Sequence, residues 1–238
     1  MNISGDADSN YIIGSSEADL IEGLGGNDYM SGLGGGDVMY GDAGNDTLKG
    51  GAGDDDIYGG TGLDWALYDG NMNEYSVGIV TNVVSVYDLV FDGGIDYVMD
   101  DVERIQFDDM GIAYDLYGNA GAAARMVGTL FGPAAVDNPY YMQIFIEAFD
   151  DGYSAHYIAE VAIDIVYPTY SNQDIAELVY FNLAGYPGSD AEIFWLTDLV
   201  NTYGDAWVVV EAGYTSYNEA SIDFAGLVET GVEFLPFG

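Results

Sequence analysis

Gly41-Asp42-Ala43-Gly44-Asn45-Asp46-Thr47-Leu48-Lys49 is followed without a gap by Gly50-Gly51-Ala52-Gly53-Asp54-Asp55-Asp56-Ile57-Tyr58. The two nonapeptides share glycine at the first and fourth positions, aspartate at the sixth and an apolar residue at the eighth. Stepping outward by nine keeps the frame. Gly5, Gly14, Gly23, Gly32, Gly41, Gly50 and Gly59 open seven blocks; Asn10, Asp19, Asp28, Asp37, Asp46, Asp55 and Asp64 hold the sixth position. The eighth position reads Ile12, Ile21, Met30, Met39, Leu48, Ile57 and Ala66. A fixed interval sustained over residues 5–67 marks a repeat architecture, in which one unit buries its apolar side chain only against its neighbours. An acidic glycine-rich linker needs neither a constant interval nor an apolar residue two positions after each aspartate.

Glycine admits positive φ in a tight turn and lets bare carbonyls approach an ion, while one apolar residue per short strand points inward. Two blocks then make one coil, and positions 18 apart stack on the same edge. Asn10, Asp28, Asp46 and Asp64 fall on one edge and Asp19, Asp37 and Asp55 on the other. Carboxylates stacked at strand spacing, about 4.8 Å, repel unless a hard, oxygen-preferring cation sits between them. Calcium meets that requirement. Outward positions carry aromatics in register: Tyr11, Tyr29 and Trp65 at the seventh, Tyr40 and Tyr58 at the ninth. They read as cross-strand stacks or a docking face, with sugar binding the alternative.

The blocks Gly23–Ser31, Gly41–Lys49, Gly50–Tyr58 and Gly59–Leu67 resemble the RTX repeats of proteins secreted by the type I route, a calcium-binding parallel β-roll signature. The resemblance implies ions held between successive turns by the sixth-position aspartates and by turn carbonyls at the first and third positions. Those are Gly23, Gly25, Gly32, Gly34, Gly41, Ala43, Gly50, Ala52, Gly59 and Thr61. It predicts about four to five ions, in the intervals Asp28/Asp46, Asp46/Asp64, Asp19/Asp37 and Asp37/Asp55, with Asn10/Asp28 a weaker fifth. The first two blocks lack the inner glycines, which sets their turns apart. Partners implied are calcium and the type I secretion machinery, with an export signal expected over residues 224–238 and a secreted or cell-surface location. Self-association or a cell-surface polymer is the further partner class, as in an adhesin or a surface-layer lattice. A third possibility is the C-terminal part of a secreted enzyme or toxin.

Composition narrows the field from another side. Among 238 residues, 41 are acidic and 3 basic, a formal charge of −38. Nucleic acid and anionic membrane surfaces repel such a chain, because binding them depends on basic side chains displacing counterions. No cysteine is present and His156 is the single histidine, which excludes disulfides, thiolate metal sites and clustered-histidine sites. No apolar run reaches the roughly 18 to 20 residues of a membrane span, and residues 1–6 lack the basic and apolar regions of a secretory signal. Nucleophile-elbow, P-loop and HExxH patterns are absent, so the expectation is a protein without catalysis of its own. An EF-hand reading of Asp69, Asn71 and Asn73 fails, since Glu74 occupies the glycine position and Val80 the bidentate glutamate.

Beyond residue 67 the glycine interval stops. Short strands are expected at 75–80, 83–91, 96–99, 103–107 and 112–115, forming a β segment over residues 68–117 that caps the open end of the roll. Residues 93–109 are similar to the segment that commonly follows RTX repeats. A helical domain is expected over 118–238, with helices at 120–131, 139–149, 155–166, 172–184, 190–203, 206–214 and 219–232. A shift of 52 superposes Ala124 on Ala176, Val127 on Val179, Gly152 on Gly204 and Ile158 on Val210, so this region reads as duplicated. Residues 179–204 resemble a helical domain of unknown function often appended to RTX repeats in secreted and surface-layer proteins. Its usual glycine-arginine-x-proline-aspartate loop is here Gly185-Tyr186-Pro187-Gly188, without the arginine. Trp195 and Trp207 read as core residues, and Arg104 and Arg125 as partners of nearby acids. The fold class is thus a β-roll over 1–67, a β cap and an all-helical domain.

Overall fold

The computed structural model describes residues 1–80, 83–90, 94–215 and 232–236, and the chain divides into two compact units, Met1–Tyr114 and Asp115–Leu235. In the first unit eight short strands wind into a parallel β-roll. They are β1 (Asn2–Ser4), β2 (Tyr11–Ile13), β3 (Leu20–Glu22), β4 (Tyr29–Gly34), β5 (Val38–Ala43), β6 (Thr47–Ala52), β7 (Asp56–Thr61) and β8 (Trp65–Leu67). Odd-numbered strands stack in one sheet and even-numbered strands in the other. The register is the 18-residue step read from the blocks: Asn2 faces Leu20, Leu20 faces Val38 and Val38 faces Asp56, while Tyr11, Tyr29, Thr47 and Trp65 align in the second sheet.

Alternation along each strand sends the eighth-position residue inward, because successive side chains on a pleated strand point to opposite faces. Ile21, Met30, Met39, Leu48 and Ala66 are fully buried, and Ile12 and Ile57 nearly so. With one apolar side chain per strand, the core is a single file shared by both sheets. Truncation therefore has few neighbours to close the gap. Leu48→Ala is expected to cost about 2–5 kcal/mol, read as a lowered urea midpoint in saturating calcium. On the outside, Tyr11 stacks on Tyr29 at 4.9 Å between ring centroids and Tyr40 on Tyr58 at 4.6 Å, one coil apart. This is the cross-strand arrangement that stabilises a sheet face.

Residues 68–114 form no separate unit. They extend the roll by one coil. β11 (Ile95–Met99) pairs parallel to β7, and β12 (Arg104–Gln106) parallel to β8, so Val98 and Ile105 continue the buried file. A hairpin of β9 (Tyr75–Val80) and β10 (Val83–Asp88) adds antiparallel strands beyond β11, and β13 (Gly111–Ala113) adds one beyond β12. The parallel coil therefore gives way to antiparallel pairing at this end. The ladder passes from the repeats into this segment without a break.

The second unit holds α1 (Asn119–Phe131), α2 (Pro139–Asp150), α3 (Ala155–Val166), α4 (Asn172–Ala184), α5 (Asp190–Tyr203) and α6 (Asp205–Gly213). Local chemistry sets the ends. Asn138 Oδ1 accepts from the Tyr140 N–H before Pro139, and Ser171 with Asp174 and Ser189 with Glu192 form reciprocal capping boxes. Gly185 closes α4 in the left-handed region at φ 76°. The 52-residue shift carries α1, α2 and α3 onto α4, α5 and α6, and α1 packs on α2 as α4 packs on α5. Arg125 is buried and stacks over the Tyr214 ring at 5.0 Å. Trp195, expected in the core, is 63% exposed beside Phe194, whereas Trp207 is half-buried. The helix expected over 219–232 and the signal expected over 224–238 lie outside the described residues except at 232–236, where Val232–Phe234 is a short strand.

Candidate metal sites

Each turn between strands is shaped by two backbone demands. At the first position, a Cβ on Gly41 would lie 2.5 Å from Asp46 Oδ2 of its own block and 2.4 Å from the Gly59 carbonyl oxygen one coil on. At the fourth, Gly44 has φ 135° and an added Cβ would lie 1.7 Å from the Gly26 carbonyl oxygen. The second position is left-handed even where it is not glycine: Leu24, Leu33 and Asp42 have φ of 74°, 75° and 70°. Such backbone strain concentrates where the surrounding structure fixes a functional turn.

These turns bring the sixth-position aspartates into two columns, as the spacing requires. Within each column the backbone N–H of one residue donates to Oδ1 of the aspartate one coil on. The bonds are Asn10 to Asp28 (2.7 Å), Asp28 to Asp46 (2.7 Å) and Asp46 to Asp64 (2.7 Å) in one column. In the other they are Asp19 to Asp37 (2.8 Å) and Asp37 to Asp55 (2.8 Å). The second carboxylate oxygen is a different matter. Oδ2 of Asp28, Asp37, Asp46, Asp55 and Asp64 is buried and accepts no hydrogen bond. A buried carboxylate oxygen without a donor is costly, and the arrangement recurs five times in register.

The first two blocks differ. Asp19 Oδ2 accepts from both the Ser15 N–H (2.7 Å) and the Ser15 hydroxyl (2.8 Å), and Asp19 Oδ1 pairs with the N-terminal ammonium. Asn10 Oδ1 accepts from the Asp6 N–H (2.7 Å). Neither turn contains a left-handed residue, and the flanking strands β1 to β3 are three residues long where β4 to β7 have six. Asn10 and Asp19 thus stand in the columns with their oxygens already engaged. Sequence spacing does not show that a backbone amide engages Asn10, or that serine and the N-terminal ammonium engage Asp19.

Electrostatics follows the same division. Burial first, then neighbouring carboxylates, push Asp55 up to about 6 and Asp64 up to about 7. Burial likewise raises Asp37 and Asp46. Asp19 is lowered, mainly by its bond to the N-terminal ammonium. The columns beyond the first two blocks are therefore sites of unbalanced negative charge.

All the donors are hard oxygens. Among the described residues no three His, Cys, Asp or Glu side chains converge as a cage, so a metal here needs backbone carbonyls beside the two carboxylates. Calcium takes 6 to 8 oxygens in flexible geometry and accepts such a mixture. The turn carbonyls at the first and third positions line the same turns. Ala52 O accepts from the Gly35 N–H (2.8 Å) and Thr61 O from the Gly44 N–H (2.9 Å), and a carbonyl oxygen has two lone pairs. Gly25 bridges to Ala43, and Leu33–Gly34 pair with Gly51–Ala52, keeping the third-position carbonyls in step.

Sequence reasoning missed two members of the columns. Asp55 N–H donates to Asp96 Oδ1 (3.0 Å), and Asp64 N–H donates to Glu103 Oε2 (2.8 Å). Burial and the adjacent Asp55 push Asp96 up to about 7. The signal was present: Asp96-Tyr97-Val98 and Glu103-Arg104-Ile105 keep the acid-x-apolar triplet of the blocks, but the nine-residue interval between them is shortened to seven.

Residues 4–39 and 31–66 match the RTX calcium-binding nonapeptide repeat family, with its repeats in four copies per match. The extracellular lipase LipA from Serratia marcescens is similar over 43% of this chain and 15% of its own, at 26% identity and a TM-score of 0.23. The chain thus spans a small part of that enzyme's length. No curated protein matches. The amino-terminal quarter of the chain is an array of RTX calcium-binding nonapeptide repeats wound into a parallel β-roll.

Proposed function

We propose that the chain is a calcium-dependent module, without catalysis of its own, that leaves the cell by type I secretion and folds outside when about four to five ions fill the roll. The observation that carries this reading is the row of buried aspartate oxygens with no internal donor, from Asp28 to Asp64. Extracellular calcium modules have dissociation constants around 10⁻⁴ to 10⁻³ M, so cytosolic calcium leaves such sites empty and external calcium fills them. At ten times the dissociation constant each site contributes about 1.4 kcal/mol, roughly 6 kcal/mol for four independent sites. That is comparable to the whole stability of a typical domain. Repulsion among the carboxylates keeps the ion-free repeats expanded, a state suited to passage through a channel.

Far-ultraviolet circular dichroism of the full chain tests this. A strand signal in millimolar calcium that collapses in chelator, while the helical signal persists, is expected; superimposable spectra would sink the reading. A calcium-dependent surface lattice is the second reading. It is favoured by Phe194, Trp195 and Ile165, which are 76%, 63% and 73% exposed in the helical unit. Light scattering separates the two, since a lattice subunit grows on adding calcium and a folding module stays monomeric.

A further inference from the structure

The ladder of column residues does not end with the repeats. Asp96 and Glu103 lie on the coil that follows them, and each accepts the backbone N–H of the last repeat aspartate in its column, as every repeat aspartate does for the one before it. The strands that carry them keep the parallel pairing, with Val98 opposite Ile57 and Ile105 opposite Ala66.

The close backbone approaches also continue. A Cβ on Gly94 would lie 2.1 Å from the Gly53 carbonyl oxygen, as one on Gly53 would lie 1.8 Å from that of Gly35. A Cβ on Gly59 would lie 2.3 Å from the Asp101 carbonyl oxygen, which stands where the next repeat glycine's carbonyl would be. Asp101 Oδ1 accepts the Gly59 N–H at 3.1 Å and holds that carbonyl in place.

The last repeat aspartates point to a ligand at this end of the columns as well. Asp55 and Asp64 are fully buried, and the Oδ2 of each, turned toward its own glycine turn, accepts no hydrogen bond although the other oxygen carries the ladder. A cap that only covered the end of the roll would need a hydrogen-bond acceptor at 96 and 103, and Asp96 also faces the buried Tyr68 hydroxyl. Stacking carboxylates at both positions on two that are already buried adds negative charge that such a cap does not use.

We propose that Asp96 and Glu103 complete the two columns, so that two further calcium ions bind in the Asp55/Asp96 and Asp64/Glu103 intervals and tie the coil of residues 94–106 to the repeats. The proposal rests on the calcium reading of the repeats and adds two intervals to the five between repeat blocks. Filling of the last repeat turns and ordering of the non-repeat coil then become one event, since the ligands come from both.

Asp96→Asn and Glu103→Gln each keep the ladder acceptor and remove one charge. In calorimetric calcium titrations of the full chain, each variant is expected to bind one ion fewer, or to bind one ion at least about tenfold more weakly, because affinity follows the charge count of the ligands. Asp151→Asn, an exposed acid of the helical unit, serves as the control and is expected to leave the titration unchanged. Identical titrations for all four proteins would overturn the proposal. Should a variant fail to fold, crystals of the unmodified chain grown with terbium decide instead. Anomalous density in both end intervals supports it; density confined to the repeat intervals refutes it and leaves the repeats intact; and no density in any interval refutes the calcium reading of the repeats as well.

Discussion

Gly44→Ala is expected to abolish the calcium-dependent strand signal, a loss of at least about 4 kcal/mol, of the size seen only when a substitution meets a specific structural obstacle. Two independent effects act on the same Cβ. The residue sits at φ 135°, which L side chains rarely adopt, and its Cβ would be driven to 1.7 Å from the Gly26 carbonyl oxygen on the preceding coil. That oxygen belongs to a turn in the middle of the roll and cannot retreat without separating two coils that share one file of core residues. Gly185→Ala is the matched control. It too has positive φ, at 76°, but no atom lies within 4 Å of the added carbon. Its cost is expected to be about 1 kcal/mol, confined to the end of α4. Thermal unfolding in saturating calcium, followed separately by strand and helix signals, checks both. A Gly44→Ala protein that keeps its strand transition within a few degrees of the parent would show that the turn relaxes in a way the geometry does not suggest.

Much of this was legible in the sequence because the repeat fixes position as well as type. One residue in nine faces the core and one stands in a column, so Leu48 and Asp46 are assigned by counting alone. Helix ends in the second unit were equally readable where a side chain caps its own backbone, as at Ser171, Ser189 and Asn138. What could not be read is what depends on partners outside the repeat. Nothing in the spacing distinguishes Asp19 from Asp37, yet Ser15 and the N-terminal ammonium satisfy the first and nothing hydrogen-bonds the Oδ2 of the second. Asp96 and Glu103 escaped because the connection between them is two residues short, which breaks the interval while preserving the ladder. Trp195 was misplaced for a different reason: helical periodicity in α5 does not tell which of two apolar faces is covered.

Protons are expected to replace calcium in part. Burial first, with Glu103, Asp46 and Asp101 beside it, raises Asp64 to about 7, and burial with Asp37, Asp54 and Asp56 raises Asp55 to about 6, whereas aspartates of an unfolded chain titrate near 3.9. A folded-state value above the unfolded one means that the folded roll binds more protons between those limits. The contribution of these two groups to the stability of the metal-free roll is therefore fully present below about pH 4 and is lost as pH rises through about 6 to 7. In chelator, strand signal is expected to grow as the solution is taken from about pH 8 to about pH 5, while in saturating calcium it stays flat. Asp64→Asn separates the two roles of that side chain. The amide keeps an acceptor for the Asp46 N–H (2.7 Å in the parent) and removes a charge whose neighbours are Glu103, Asp46 and Asp101. It should strengthen the metal-free roll near neutral pH, shrink its pH dependence, and at the same time weaken calcium binding. Opposite signs in chelator and in calcium follow only if the carboxylate is a burden to the fold until a cation meets it. A variant weakened in both conditions would mean that Asp64 serves the fold through packing and hydrogen bonding alone.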